Sequence, residues 1–138
     1  MLEIQLHKIL HVGMCWDILR SVRWSEGLSC IACQSKEVVK NGKDSEQTDK
    51  QHYVCKSCGK YFDDLSDTIF SGSKQPLHYW ITVLYMMQLN ASNRQIASEL
   101  EISENTAQEM CSQIREGVVK KNLIYFLAEK LNLTNVIL

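Results

Sequence analysis

Four of the six cysteines in this 138-residue chain fall into two pairs, Cys30-Ile31-Ala32-Cys33 and Cys55-Lys56-Ser57-Cys58, with 21 residues between the pairs. Each Cys-x-x-Cys turn aims two thiolates at one point. Two such turns complete a four-sulfur shell that one structural Zn²⁺ accepts without geometric strain. Cys30, Cys33, Cys55 and Cys58 are therefore the expected metal ligands. The same shell can hold iron and carry electrons, but polar loops and a helical pattern downstream favour zinc. His52 stands three residues before Cys55, yet four cysteines already fill the shell. Cys15 and Cys111 have no paired partner and read as small buried hydrophobes.

A second set of residues could read DNA. Ile96, Ala97 and Leu100, then Ile102, then Ala107, Met110, Cys111, Ile114 and Val118 have the spacing of two crossed helices. The small Ala97 lets them approach, Ile102 plugs the angle, and Ser103 caps the helix that runs to Gly117. Its polar face carries Asn105, Thr106, Gln108, Glu109 and Ser112. Amides of Asn105 and Gln108 can pair with adenine, and Glu104 or Glu109 can accept from cytosine. Arg94, Arg115, Lys120 and Lys121 are the cations placed for phosphates. Two features oppose this reading. Glu101 occupies a turn position where glycine commonly supplies positive φ, at a strain of ~1 kcal/mol. Glu99, Glu101, Glu104, Glu109 and Glu116 crowd the same surface and would repel a DNA backbone.

The elements that must position these residues follow from pattern changes. Leu2, Leu6, Ile9 and Leu10, then Ile18, Leu19 and Val22, suggest one or two short helices around Gly13. From Trp24 the chain turns to three short strands, Glu37 to Lys40, Gln51 to Val54 and Lys60 to Asp63, around the two cysteine turns. Asn41-Gly42 opens a polar stretch to Lys50 that reads as a hairpin tip. After Gln75 a helical period begins, with Pro76 at its first position and Trp80, Ile81, Leu84, Tyr85 and Leu89 on one face. Ser92 and Gln95 form a capping box for the next helix.

The expected fold class is α+β, a small three-stranded zinc ribbon followed by a helical helix-turn-helix domain. Its divisions are 1–22 as an N-terminal helical segment, 23–75 as the ribbon, 76–121 as the helix-turn-helix and 122–138 as an apolar tail or helix extension. The ribbon has few large aliphatic side chains, so its stability should lean on the metal, which supplies about 10–16 kcal/mol in zinc-finger peptides.

Composition limits the partners. The net charge is −1, with nine cations against eight acids over 20–74 and four against five over 77–122. That balance argues against strong non-specific affinity for phosphates. The N-terminus has no signal-sequence pattern and no stretch is long and apolar enough to span a membrane, which places the protein in the cytoplasm with reduced thiols.

Arg23-Trp24-Ser25-Glu26-Gly27-Leu28 before Cys30, His52-Tyr53-Val54-Cys55-Lys56-Ser57-Cys58-Gly59-Lys60-Tyr61-Phe62, Thr68-Ile69-Phe70 and Lys74-Gln75-Pro76-Leu77 resemble the N-terminal region of a family of bacterial insertion-sequence transposases. The resemblance covers residues 20 to 120. It implies recognition of the terminal inverted repeats of an element as double-stranded DNA, ahead of an RNase H-like catalytic domain. Asp67 is the last aspartate, and no carboxylate cluster for two-metal strand cleavage follows, so the expectation is a truncated, non-catalytic fragment. Such a fragment could dimerise or associate with a full-length transposase. Gln34 departs from the resembled pattern, standing where the first cysteine turn usually carries glycine. The alternative reading is a zinc-ribbon protein–protein adaptor or transcriptional regulator.

Overall fold

The computed structural model describes residues 11–133; the apolar positions Leu2, Leu6, Ile9 and Leu10 and the last five residues of the tail lie outside them. In chain order the elements are α1 (Val12–Arg23), β1 (Val38–Lys43), β2 (Gln51–Cys55), β3 (Tyr61–Asp63), α2 (Leu77–Gln88), α3 (Asn93–Leu100), α4 (Glu104–Val119) and α5 (Leu123–Lys130). The architecture is α+β, as the sequence pattern requires. No helix among the described residues is long and apolar enough to cross a membrane.

The sheet is antiparallel in the order β1-β2-β3. Val38 pairs with Cys55, Val39 with Val54 and Lys40 with Tyr53, and on the other side of β2 Tyr53 pairs with Phe62 and Val54 with Tyr61. Alternation along β2 buries Gln51, Tyr53 and Cys55 and leaves His52 and Val54 partly exposed. That period of two is why one face carries the aromatic cluster and the other meets solvent. The ribbon core is small: Cys30, Tyr53, Cys55 and Phe62, with Trp24, Leu28, Ile31 and Val38 against them. Trp24 stands edge-on to Tyr53 and Phe62, each ring centroid 6.0 Å away.

Asn41-Gly42 does not make the hairpin turn. β1 runs on to Lys43, the register shifts between Lys40 and Lys43, and Gly42 takes φ +85° inside this bulge. The tip is built by Asp44 instead, whose carboxylate accepts from the Glu46 and Gln47 amides at 3.0 and 2.8 Å. An Asn-Gly pair supplies positive φ equally well to a bulge and to a turn, and here the side-chain acceptor at Asp44 decided which.

The larger core belongs to the helices. Cys15, Trp16 and Leu19 of α1 meet Leu77, Trp80, Ile81, Val83 and Leu84 of α2, Ile96 and Leu100 of α3, and Met110, Cys111 and Ile114 of α4. α1 starts ahead of Gly13 and is continuous through it. Pro76 caps α2 one position before its first helical residue, with ψ 153°. Leu89, expected on the buried face of α2, is 71% exposed, because the helix closes at Gln88 and Asn90 turns left-handed at φ 59°.

As far as residue 133 the tail is neither free nor a continuation of α4. Lys121 adopts φ 53°, breaking the helix, and the Asn122 amide donates back to the Gly117 carbonyl at 2.8 Å. α5 then folds against α1 and α4, burying Ile124, Leu127 and Ala128. Gly117 makes this possible, since a Cβ there would collide with Ile124 Cγ2.

Candidate metal centre and helix pair

The two cysteine turns have the same backbone construction. In the first, the Gln34 amide donates to the Cys30 carbonyl and the Cys30 amide to the Ser35 carbonyl, both at 2.9 Å. In the second, Gly59 donates to Cys55 and Cys55 to Lys60, again both at 2.9 Å. Each loop needs a left-handed residue at its fifth position, supplied by Gln34 at φ 65° and Gly59 at φ 80°. Gln34 thus holds the conformation that a glycine would adopt without strain. Ser35 Oγ and Ser57 Oγ, 2.8 Å apart, tie the two turns together.

This folding brings all four sulfurs within 4.8 Å of one another. Cys30 Sγ lies 3.6 Å from Cys58 Sγ, and Cys33 Sγ 3.6 Å from Cys55 Sγ. Four sulfurs about 2.3 Å from a central ion stand roughly 3.8 Å apart at tetrahedral corners. The cluster therefore fits a single four-sulfur site. It is too open for a disulfide, whose sulfurs touch at about 2.05 Å. The main chain favours thiolate at the inner positions. Cys30 is pushed down to about 6, first by the backbone donor at Cys33 and further by Ala32, and Cys55 is lowered by the backbone donors at Cys58 and Ser57. Without a cation the sulfurs cannot all ionise. Cys33 receives the Ser35 amide, yet desolvation and the neighbouring sulfurs hold it up at about 12. A divalent ion removes that conflict, because it binds the deprotonated form of each ligand. His52 is not among these groups; its Nε2 is 3.1 Å from Asp44 Oδ1.

The helix pair follows the sulfurs in sequence and has its own local logic. Ser92 Oγ accepts from the Gln95 amide at 3.1 Å while Gln95 Oε1 accepts from the Ser92 amide at 2.8 Å. α3 ends at Glu101, left-handed at φ 57° and ψ 43°. Ile102 packs against the helical core, and Ser103 Oγ accepts from the Thr106 amide at 3.1 Å to start α4.

Of the proposed DNA-contacting residues, Arg94 is exposed at the start of α3, and Asn105, Gln108, Glu109, Ser112 and Arg115 are exposed on α4. Asn105, Gln108 and Ser112 follow i, i+3, i+7 spacing and form one stripe opposite Ala107, Met110 and Ile114. Ser103 and Thr106 are spent on the cap, their hydroxyls 2.9 Å apart. Gln113, which the sequence reading passed over, is exposed beside Glu109 and lines a groove against Ser71, Ser73 and Lys74.

A third cluster was not anticipated. Asp64 is fully buried and accepts from Arg20 Nη1 at 3.0 Å, the Gln51 amide at 3.0 Å, Trp24 Nε1 at 3.2 Å and Tyr53 OH at 2.6 Å. Arg23 donates to the carbonyls of Asp64, at 2.6 Å, and Ser66, and its guanidinium lies 4.6 Å over the Trp24 ring. Arg23-Trp24 thereby locks α1 to the ribbon. Burial lowers the Arg23 pKa and raises that of Tyr53, so the phenol stays a donor.

Over 91 residues, 65% of the chain, the sequence is 32% identical to a protein of the transposable element ISH50 of Halobacterium salinarum, which is itself described as uncharacterized. The chain is related to a mobile-element protein. That relative is archaeal, where the resemblance in the sequence pointed to bacteria. The matched region spans 30% of the relative's length. No family model and no solved structure matches the chain.

Proposed function

We propose that this protein is a zinc-dependent DNA-binding unit of a mobile element, and that α3 and α4 act as a helix-turn-helix whose second helix enters the major groove of the element's terminal repeats. The observation that carries the reading is the outward stripe Asn105, Gln108 and Ser112 on a helix whose start is fixed by the Ser103 cap and the Glu101 turn. Short amide side chains at the first turns of such a helix suit adenine edges. The sequence relation to a transposable-element protein supplies the class of target.

In this reading Cys30, Cys33, Cys55 and Cys58 hold one Zn²⁺, whose contribution is structural: it pins the two cysteine turns and, through β2 and β3, the Asp64 cluster. The described residues bind and do not cut; strand cleavage is assigned to carboxylates elsewhere in the element's machinery. The test is footprinting on the terminal repeats of a neighbouring element with zinc present at low salt. Protection of a defined segment is expected, and an unprotected repeat defeats the proposal. Metal identity is read at the same time, because purified protein with four-sulfur iron is coloured and zinc protein is colourless.

One observation favours a second reading. α3 to α4 carry Glu99, Glu101, Glu104, Glu109 and Glu116 against Arg94 and Arg115, a surface suited to a basic protein partner in an adaptor. Complexes whose affinity ignores salt, with no DNA retained, would select it.

A further inference from the structure

A helix lying in the major groove has a sugar-phosphate strand against each flank, because the groove is about 12 Å wide and a helix with its side chains about 10–12 Å across. The two flanks of α4 are unlike. At about 3.6 residues per turn, Arg115 falls on one side of the Asn105–Gln108–Ser112 stripe, and Thr106 and Gln113 fall on the other. Arg115 is the one cation of α4. A phosphate on the Gln113 flank must therefore be met by another element.

That element is the loop between Thr68-Ile69-Phe70 and Lys74-Gln75-Pro76-Leu77, two stretches that neither the sulfur site nor the helix pair uses. Its first foot is anchored in the helical core. Phe70 is buried and stands edge-on to Trp80, ring centroids 5.3 Å apart, and Ile69 Cγ2 lies 3.7 Å from the point where a Cβ on Gly117 of α4 would stand. The second foot is held by Leu77, buried at the start of α2, whose amide donates to Gln47 Oε1 at 3.4 Å. Ser73 Oγ, accepting from the Gln75 amide at 3.1 Å and Trp80 Nε1 at 3.3 Å, fixes the middle.

Between these anchors Ser71, Gly72 and Lys74 are exposed. The chain reverses at Gly72, φ +74°, where a Cβ would meet nothing within 4 Å. The Ser71 and Ser73 amides donate to the carbonyls of Thr68 and Phe70, whereas those of Gly72 and Lys74 meet no acceptor among the described residues. A groove of about 330 Å³ lies between this loop and Thr106, Glu109 and Gln113 of α4.

We propose that the loop from Ser71 to Gln75 is the second wall of the DNA-reading site. Lys74, with the Ser71 hydroxyl and the Gly72 amide, takes a phosphate of the strand that passes the Gln113 flank of α4, while Arg115 serves the opposite strand. The inference rests on the DNA-binding reading and supplies a backbone contact that α4 alone lacks. Lysine, serine and main-chain amides are ordinary phosphate ligands. Glu109 repels an anion from the α4 wall of the groove, which leaves the loop wall, where Lys74 stands, as the side that takes the phosphate.

The test uses the full chain with zinc bound and the variants Lys74→Gln, Lys74→Arg, Ser71→Ala and Arg115→Gln, each checked first for zinc content and circular dichroism. All are titrated with a terminal-repeat duplex and an unrelated duplex across a salt series, and the phosphates whose ethylation blocks binding are mapped on the repeat. Lys74→Gln should flatten the plot of log K against log salt by about 0.9, one phosphate contact; between 1 M and 0.1 M salt that slope amounts to roughly eightfold weaker binding of both duplexes. Lys74→Arg should restore the slope. Lys74→Gln should erase ethylation interference on one strand beside α4 and Arg115→Gln on the other, and Ser71→Ala should weaken the same interference as Lys74→Gln, which keeps the loop testable should that variant misfold. Loop variants that keep wild-type affinity, slope and interference, or that lose interference on both strands at once, overturn this inference and leave the DNA-binding reading standing. A wild-type protein that binds neither duplex at low salt overturns both.

Discussion

Arg20 Nη1 lies 3.0 Å from Asp64 Oδ2, joining positions 44 residues apart. Burial lowers the Arg20 pKa, but the hydrogen bonds and charges of Asp64 and Asp17 outweigh it and hold the guanidinium charged. Asp64 also binds groups from the β2 strand and from Trp24, so one carboxylate closes the seam between the ribbon and the helices. Asp64→Ala should lose about 3–5 kcal/mol in urea unfolding, the range for removing one partner of a buried ion pair, and Asp64→Asn should recover part of it. A loss below about 1 kcal/mol would show that the seam is held by packing alone.

Chelation should act on the ribbon first. Its core holds four buried residues, while ligation is worth on the order of 10 kcal/mol in comparable small sites. One equivalent of zinc should be released, with a change in tryptophan emission that disappears in Trp24→Phe, because Trp16 and Trp80 are buried in the helical core. Emission that changes equally in that variant would mean that the helices unfold with the metal.

The turn between α3 and α4 makes opposite predictions for two residues flanking Ile102. Glu101 carries a Cβ in the left-handed region, so Glu101→Gly should stabilise by up to about 1 kcal/mol. Ser103→Ala removes the acceptor for the Thr106 amide and should destabilise by about 1 kcal/mol. Thermal unfolding of both variants checks the signs.

Acid should loosen the hairpin tip. Asp44 is held down at about 2, chiefly by the Gln47 amide, with help from His52, the Glu46 amide and Lys50 against a smaller effect of burial. A carboxyl with a depressed folded pKa contributes stability above its ordinary value near 3.8, and that contribution is lost as pH falls toward 2. NMR titration should place the Asp44 midpoint near 2, and Asp44→Asn should remove this acid limb. A midpoint near 3.8 would refute the assignment.

The metal shell and the helix pair were legible in the sequence because both are local: paired cysteines, a capping box and a serine cap each state their geometry within a few residues. Gln34 and Glu101 were flagged as glycine-like positions, and both take positive φ. The Asp64 cluster was hidden for the opposite reason. In Asp63-Asp64-Leu65-Ser66-Asp67 nothing distinguishes the one fully buried acid from its neighbours, since its donors come from α1 and β2. The tail was equally opaque, because its apolar residues fit a free end, a dimer contact or a packed helix until α1 is seen beside it.

The Asp64 cluster also sets the limits of what can be moved as a unit. Arg20, Trp24, Gln51 and Tyr53 meet on a carboxylate at the end of β3, so separating α1 from the ribbon strands the buried carboxylate on one piece and Arg20 on the other. The Gly117–Ile124 contact ties the far end in the same way. A grafted reading head made of α3 and α4 alone would lack both closures.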